Sequence, residues 1–214
     1  MMLFHLIKKD FLIVKKYVFI MLVTAVLIPP FMLWRTPEYN TGILGFMLSV
    51  IFCVFMLVQY VTLKEYQFPK AATLLCATPF SRKMIVLSKY IFCIAIYVAC
   101  CIIYAIETLV VPGLGTIDVT LFLLMLLVTS VFIGIYLPVQ YKLGYEKTKF
   151  VFAVVVMASP FILPQLMKME NVNSKFLSML SPLIVYTSVF LFSLIFLIVS
   201  VILSMKFYSE TDLT

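Results

Sequence analysis

Six long apolar runs alternate with short polar segments along the chain. A helix needs about 20 apolar residues to cross a hydrocarbon core of about 30 Å, and each run comes close to that length. The pattern therefore predicts an all-α membrane protein in which residues 17–214 form a domain of six transmembrane helices. The predicted spans are Tyr17–Trp34, Gly42–Val61, Ile91–Val111, Val119–Pro138, Phe150–Leu166 and Pro182–Met205.

Prolines mark the two spans whose course is hardest to predict. Pro29 and Pro30 stand near the end of the first span and favour a break in its outer turn. Pro160 and Pro164 fall inside the fifth span, and each removes a backbone donor that a continuous helix uses. The fifth run is therefore either a full crossing or a helix broken within the bilayer.

Residues 1–16 carry too many charges to span a bilayer, but their pattern is amphipathic. Phe4, Ile7, Phe11 and Val14 recur at helical spacing, and two lysine pairs follow another side, seven residues apart. This pattern favours an interfacial helix in the headgroup layer with its lysines toward anionic lipid. A simple positively charged flank is the alternative interpretation.

Composition excludes a soluble globular domain, and the placement of the charges makes nucleic-acid binding an unfavoured interpretation. Apolar residues of the AVILMFWYC set make up 64% of the 214 residues, and charged residues only 12%. Soluble domains average about 45–50% apolar and about 25% charged residues. The net charge is +7. The basic residues lie at the edges of the apolar runs rather than on one polar face, which argues against nucleic acid as a partner.

The distribution of these basic residues predicts the orientation. If the N-terminus is cytoplasmic, all of the 16 Lys and Arg residues except Arg35, Lys168 and Lys175 fall in cytoplasmic segments. Lysine and arginine concentrate in the cytoplasmic loops of membrane proteins. We therefore expect a multi-pass protein of the plasma membrane with both termini in the cytoplasm.

The longest internal polar segment runs from Leu63 to Lys89. Pro69 suits the first turn of a short helix, where its missing N–H costs nothing, and Thr78-Pro79 would end that helix. Ser81 can then cap a new helix that continues into the third span. A short helix across the cytoplasmic membrane face and an ordinary solvated loop both fit this pattern.

Two cytoplasmic segments resemble those of small ABC-2-type transporter permeases. The residues that carry the resemblance are Lys64-Glu65, Leu74-Leu75, Thr78-Pro79, Ser81-Arg82-Lys83, Ile85-Val86 and Ser88-Lys89-Tyr90 in the first segment, and Leu137-Pro138, Tyr141-Lys142 and Gly144-Tyr145-Glu146-Lys147 in the second. Span number, orientation and loop sizes extend the resemblance over nearly the whole chain.

The resemblance implies the ABC-2-type exporter fold, with six helices per subunit and a second permease half that is the same or a related chain. It also implies that the helix after the second span is a coupling helix, seated in a groove of a separate ABC ATPase subunit. This chain contains no GxxxxGK[ST] loop. We therefore expect no enzymatic activity, cofactor or metal site in it, and we expect ATP and Mg²⁺ on the ATPase.

The expected ATPase contact lies in the segment between the second and third spans. Leucine and phenylalanine side chains would supply its apolar anchors, and two cations its charged rim. The two cations also fit simple topology signals. The predicted coupling residues are Phe68, Leu74, Leu75, Thr78, Phe80, Arg82 and Lys83.

Glu107 is the one acidic residue within an apolar run, about one turn from the outer end of the third span. A charge in the hydrocarbon is costly and faces a partner or a wet cavity, so Glu107 is a candidate for the translocation path. The alternative is that it reaches the outer headgroups. Tyr97, Tyr104 and Tyr136 lie deeper and either line the same path or pack between helices.

The expected function is that of a transmembrane permease subunit of an ATP-driven exporter. Spans with so few polar residues suit amphipathic or hydrophobic cargo better than a sugar or an ion. A peptide toxin or antimicrobial peptide is the first expectation for this cargo. The alternatives are a lipid or drug exporter and a non-transporting membrane sensor or assembly subunit.

Overall fold

A computed structural model describes residues 2–35, 41–68, 81–111, 114, 119–150, 153–154, 156–157 and 182–210, and nearly all of them are helical. The long helices within these residues are α1 (Met2–Ile13), α2 (Lys15–Arg35), α3 (Thr41–Gln67), α4 (Arg82–Val110), α5 (Val119–Leu143) and α6 (Pro182–Glu210). Gly144, with φ +80°, separates α5 from the helical residues 145–150. This left-handed conformation costs a glycine little.

Five of these helices, α2 to α6, are long and apolar enough to cross a membrane. They correspond to five of the six predicted spans. The predicted fifth span, Phe150–Leu166, lies mostly outside the described residues, so its crossing stays a prediction.

The expected break at Pro29 and Pro30 does not occur, because α2 continues through both prolines to Arg35. Neighbouring helices can stabilise a transmembrane helix around such prolines. Here α3 packs directly against the prolines: a Cβ atom added to Gly45 would lie 2.7 Å from the Cα atom of Pro29. The missing side chain at Gly45 therefore permits the close approach of the two helices.

Helix α3 forms the centre of the bundle and packs against α2 and α4, while α5 and α6 form a second closely packed pair. Aromatic contacts join α3 to its neighbours. Phe46 stacks on Tyr104 of α4, with ring centroids 4.5 Å apart, and Phe55 contacts Phe132 of α5 edge to face at 5.6 Å. Helices α2 and α6 leave most of their apolar side chains exposed, as expected for surfaces that face lipid.

Small and hydroxyl residues line the contact between α6 and its neighbours. The Ser200 hydroxyl donates to the carbonyl oxygen of Gly134 at 2.8 Å. The Tyr90 hydroxyl lies 2.5 Å from Ser200 Oγ and 2.7 Å from Ser204 Oγ. Such residues let helices approach closely in a membrane and hydrogen-bond across the interface. This network fixes α6 against both α4 and α5.

A helix occupies most of the predicted interfacial segment, and α1 packs mainly on α4. Its buried face contains Leu6 and Asp10, and Phe11 contacts the Phe92 ring at 4.8 Å. Phe4, which the amphipathic pattern groups with Phe11, is 68% exposed. Of the four residues in the predicted apolar stripe, Phe11 and Val14 pack in the core and Phe4 does not, so the buried face matches the predicted one only in part. The position of α1 in the headgroup layer stays a prediction.

Candidate functional site

Four charged side chains, Lys9, Asp10, Glu65 and Lys89, meet where α1, α3 and α4 converge, and we call them the charge cluster. Glu65 stands between two ammonium groups. Its Oε1 accepts a hydrogen bond from Lys9 Nζ at 3.3 Å, and its Oε2 pairs with Lys89 Nζ. Lys9 Nζ also lies 3.1 Å from Asp10 Oδ1. Two acids and two bases therefore balance each other within one connected group.

The cluster is shielded from solvent. The Lys89 side chain is 7% exposed and its ammonium lies 5.6 Å from the centroid of the Tyr141 ring, whereas the Glu65 side chain is 27% exposed. Asp10 is fully buried, and this burial raises the pKa of its carboxyl although the ammonium groups of Lys9 and Lys89 act in the opposite direction. Buried charges require partners, so removal of one member of the cluster leaves another charge buried without its partner.

The position of the cluster in the chain follows from where the apolar runs end. Glu65 is in the last turn of α3, and Lys89 is two turns into α4. The ion pair therefore joins the two helices that flank residues 69–80. The resemblance includes both Glu65 and Lys89, but Lys89 also fits an orientation signal, and the sequence pattern does not predict that the two side chains pair. The sequence signal for this pairing was an acidic residue just after one apolar run and a basic residue just before the next.

A second polar contact ties the helical residues 145–150 to the same end of α3. The Tyr66 hydroxyl donates to Glu146 Oε1 at 2.8 Å, and Gln59 Nε2 donates to the Lys149 carbonyl oxygen at 3.4 Å. The two segments that carry the family resemblance are thus in contact at this end of the bundle.

The predicted coupling residues fall in two groups. Phe68, 60% exposed, follows α3, and Arg82 and Lys83 begin α4 as exposed side chains. The predicted cap is confirmed, since Ser81 Oγ accepts a hydrogen bond from the backbone N–H of Met84 at 3.3 Å. Leu74, Leu75, Thr78 and Phe80 lie outside the described residues. Contact with an ATPase stays a prediction for both groups.

Glu107 lies near the opposite end of α4 and is 7% exposed. Neither of its carboxylate oxygens has a hydrogen-bond partner among the residues that the structure describes. Tyr104 is one helical turn before Glu107, and its hydroxyl donates to the Leu114 carbonyl oxygen at 3.4 Å. This end of the bundle therefore holds a buried acidic group one helical turn from a buried tyrosine.

The other two tyrosines predicted for the path are buried between helices. The Tyr97 hydroxyl donates to the carbonyl oxygen of Phe122 at 2.6 Å, which joins α4 to α5. Tyr136 packs beside Phe132 and Phe55, near the charge cluster rather than near Glu107. The four predicted path residues are thus spread along the bundle, and a role in translocation stays a prediction for each.

These features define the class of the protein before any comparison. Five apolar helices, each sufficient to cross a bilayer, with charged side chains gathered at the helix ends, make an α-helical multi-pass membrane protein. Among the described residues, no group of three or more His, Cys, Asp or Glu side chains is arranged to hold a metal ion.

The chain belongs to the ABC-2 transporter family. The family model described as "ABC-2 family transporter protein" matches residues 5–209, which is nearly the whole chain. No protein of curated function and no solved structure matches it. Membership identifies a membrane permease of the ABC-2 type, which is a transporter subunit rather than a catalytic one.

Proposed function

We propose that this chain is the permease subunit of an ATP-driven exporter, powered by a separate ABC ATPase and paired with a second permease half. Membership of the ABC-2 family supports this proposal, because the family implies an ABC ATPase partner. The excess of basic residues in the N-terminal and inter-span segments supports a plasma-membrane orientation with both termini in the cytoplasm.

The observation that carries the proposal is the Glu65–Lys89 ion pair. Residues 69–80 connect α3 to α4, and the pair joins these two helices just beyond both ends of that connection. A displacement of the connection by the ATPase would therefore move α3 and α4 together instead of bending one against the other. Lys9 extends the same link to α1. The arrangement suits a segment that transmits ATPase motion into the bilayer.

The cargo we propose is an amphipathic or hydrophobic molecule, with a cationic peptide toxin or antimicrobial peptide as the first candidate. Glu107 supports this choice, because a buried carboxylate without a hydrogen-bond partner among the described residues would attract a cationic group. The stacked rings of Tyr104 and Phe46, one helical turn from Glu107, would accept the apolar face of such a peptide. A neutral lipid or drug would gain nothing from the carboxylate.

Replacement of Leu74 and Leu75 together by Asp tests the coupling. Full burial of a leucine contributes about 1.5–3 kcal/mol, so loss of two should weaken ATPase association by about a hundredfold or more. Leu143→Asp is the control, because Leu143 is 50% exposed at the end of α5. We expect the control to co-purify with the ATPase in mild detergent and the double variant to be inserted but free of it. A double variant that still forms an active complex would refute the coupling role.

A further inference from the structure

An open pocket of about 710 Å³ lies between the start of α4 and the last turns of α6. Arg82 and Lys83 contribute its cationic wall from α4, and Lys206 faces them from α6. Ile202 and Met205 form the apolar part of its lining. The volume falls in the range of ligand sites, roughly 300–1,000 Å³. The pocket is therefore large enough for a small polar group, and its lining combines cationic and apolar side chains, as an amphiphilic ligand requires.

The electrostatics of the pocket favour an anion. Among the described residues no carboxylate lines it. Their ion pairs all belong to the charge cluster, so Arg82, Lys83 and Lys206 form none with a described residue. Arg82 Nη1 donates to the Ser209 carbonyl oxygen at 3.1 Å, which fixes one edge of the guanidinium and leaves its other donors for a ligand. The first turn of α4 contains no acidic residue, so the positive end of the helix dipole adds to the three charges.

An apolar surface continues from the pocket along α6. Ile202 is 61% exposed, and Ile198 and Ile195 are each 58% exposed. Their spacing of four and three residues places them on one side of the helix, in line from the pocket toward the middle of the span. A free phosphate has no apolar part that could contact such a surface, whereas an acyl chain of a phospholipid would pack along it.

We propose that this pocket binds the headgroup of an anionic phospholipid, with the two α4 cations and Lys206 around its phosphate and an acyl chain along the isoleucines of α6. Basic pockets between transmembrane helices bind such headgroups, and guanidinium groups match phosphate geometry. The proposal goes beyond the transporter function and stands without it, because it uses only residues on α4, α6 and the cap at Ser81.

Native mass spectrometry of the full chain in mild detergent tests the proposal, with phosphatidylglycerol and phosphatidylcholine added at equal concentration. We expect retention of phosphatidylglycerol in preference to phosphatidylcholine. Each basic residue contributes about 1 kcal/mol to anionic-lipid attraction, or about fivefold in affinity, so Lys83→Gln with Lys206→Gln should weaken retention about 25-fold. Lys147→Gln, an exposed lysine outside the pocket, is the matched control and should change retention less than twofold.

Four outcomes would overturn the proposal. Equal retention of the two lipids, or equal losses in the double variant and the control, would mean that the pocket has no selective site. Full displacement of the lipid by millimolar glycerol 1-phosphate would mean that phosphate alone is bound. The last is a double variant that retains phosphatidylglycerol in this assay and, in a separate assay in lipid-free detergent, fails to bind the ATPase. That pair of results would assign the two lysines to the ATPase contact. Unchanged thermal unfolding of the double variant ensures that lost retention reports on binding rather than on folding.

Discussion

Removal of either partner of the Glu65–Lys89 pair should destabilise the protein by unequal amounts. The Lys89 side chain is 7% exposed, and its ammonium lies 5.6 Å from the centroid of the Tyr141 ring. Glu65→Gln would leave this buried ammonium without its carboxylate partner. Stranding a buried charge costs about 3–5 kcal/mol, and the 27% exposure of Glu65 favours the lower limit, about 3 kcal/mol. Lys89→Met instead leaves Glu65 with Lys9 at 3.3 Å and partial access to solvent. We expect this variant to lose about 1.5 kcal/mol, the lower limit for a hydrogen bond to a charged group.

The measurement is unfolding of the purified chain in mild detergent, with Glu65→Gln, Lys89→Met and the double variant compared with the parent. The double variant removes both charges and places a flexible apolar side chain beneath Tyr141. We therefore expect it to lose less than the sum of the single losses, which is about 4.5 kcal/mol. Equal single losses, a larger loss for Lys89→Met, or additive losses in the double variant would refute the account of the cluster as a buried pair supported by Lys9.

Three further predictions concern orientation, pH dependence and helix packing. A membrane-impermeant thiol label applied to intact cells should modify Lys168→Cys but not Lys142→Cys, and the reverse pattern would invert the proposed topology. Burial raises the pKa of Asp10 above its ordinary 3.8, so the free energy of unfolding should increase as the pH falls through that raised pKa. Asp10→Asn should lack this increase. An identical pH profile for the parent and the variant would contradict the prediction. Gly45→Ala would place a Cβ 2.7 Å from the Pro29 backbone and should cost about 1–3 kcal/mol of stability in the same unfolding assay; no loss would exclude a tight contact there.

Hydropathy predicted which described segments form long apolar helices better than where those helices begin and end. The second predicted span ends at Val61, whereas α3 continues to Gln67; the third begins at Ile91, whereas α4 begins at Arg82. An apolar run marks only the part of a helix in hydrocarbon, and the helix continues through the headgroup layer with charged residues. Glu65 and Lys89 lie in these extensions, which is why the apolar runs alone do not predict their pairing.

The face of α1 illustrates a different limit. Helical periodicity predicts an amphipathic helix in this segment, but it does not predict that Asp10 is buried. In the structure Asp10 is fully buried beside Lys9, whose ammonium reaches Glu65. A local pattern contains no information about a partner 56 residues away along the chain, so the choice among neighbouring faces depends on tertiary contacts. The cap at Ser81 involves only a residue three positions away, so the local sequence was sufficient to predict it.

Glu107→Gln distinguishes a path-lining acid from a topological marker. The substitution removes the charge and keeps nearly the same volume, so packing against the neighbouring helices should be preserved. Because Glu107 is 7% exposed and has no hydrogen-bond partner among the described residues, the neutral amide should leave stability equal or higher.

A cationic peptide in the path would lose an interaction with a charged group worth about 1.5–3 kcal/mol, or about tenfold to a hundredfold in affinity. We therefore expect cationic peptides to stimulate the ATPase of the assembled complex at correspondingly higher concentrations in this variant, with basal activity unchanged. A neutral peptide of the same length is the control, since its response has no reason to depend on the carboxylate. If the parent and variant respond alike to several cationic peptides, Glu107 does not line the path, and its burial reflects only the packing of α4 near the membrane surface.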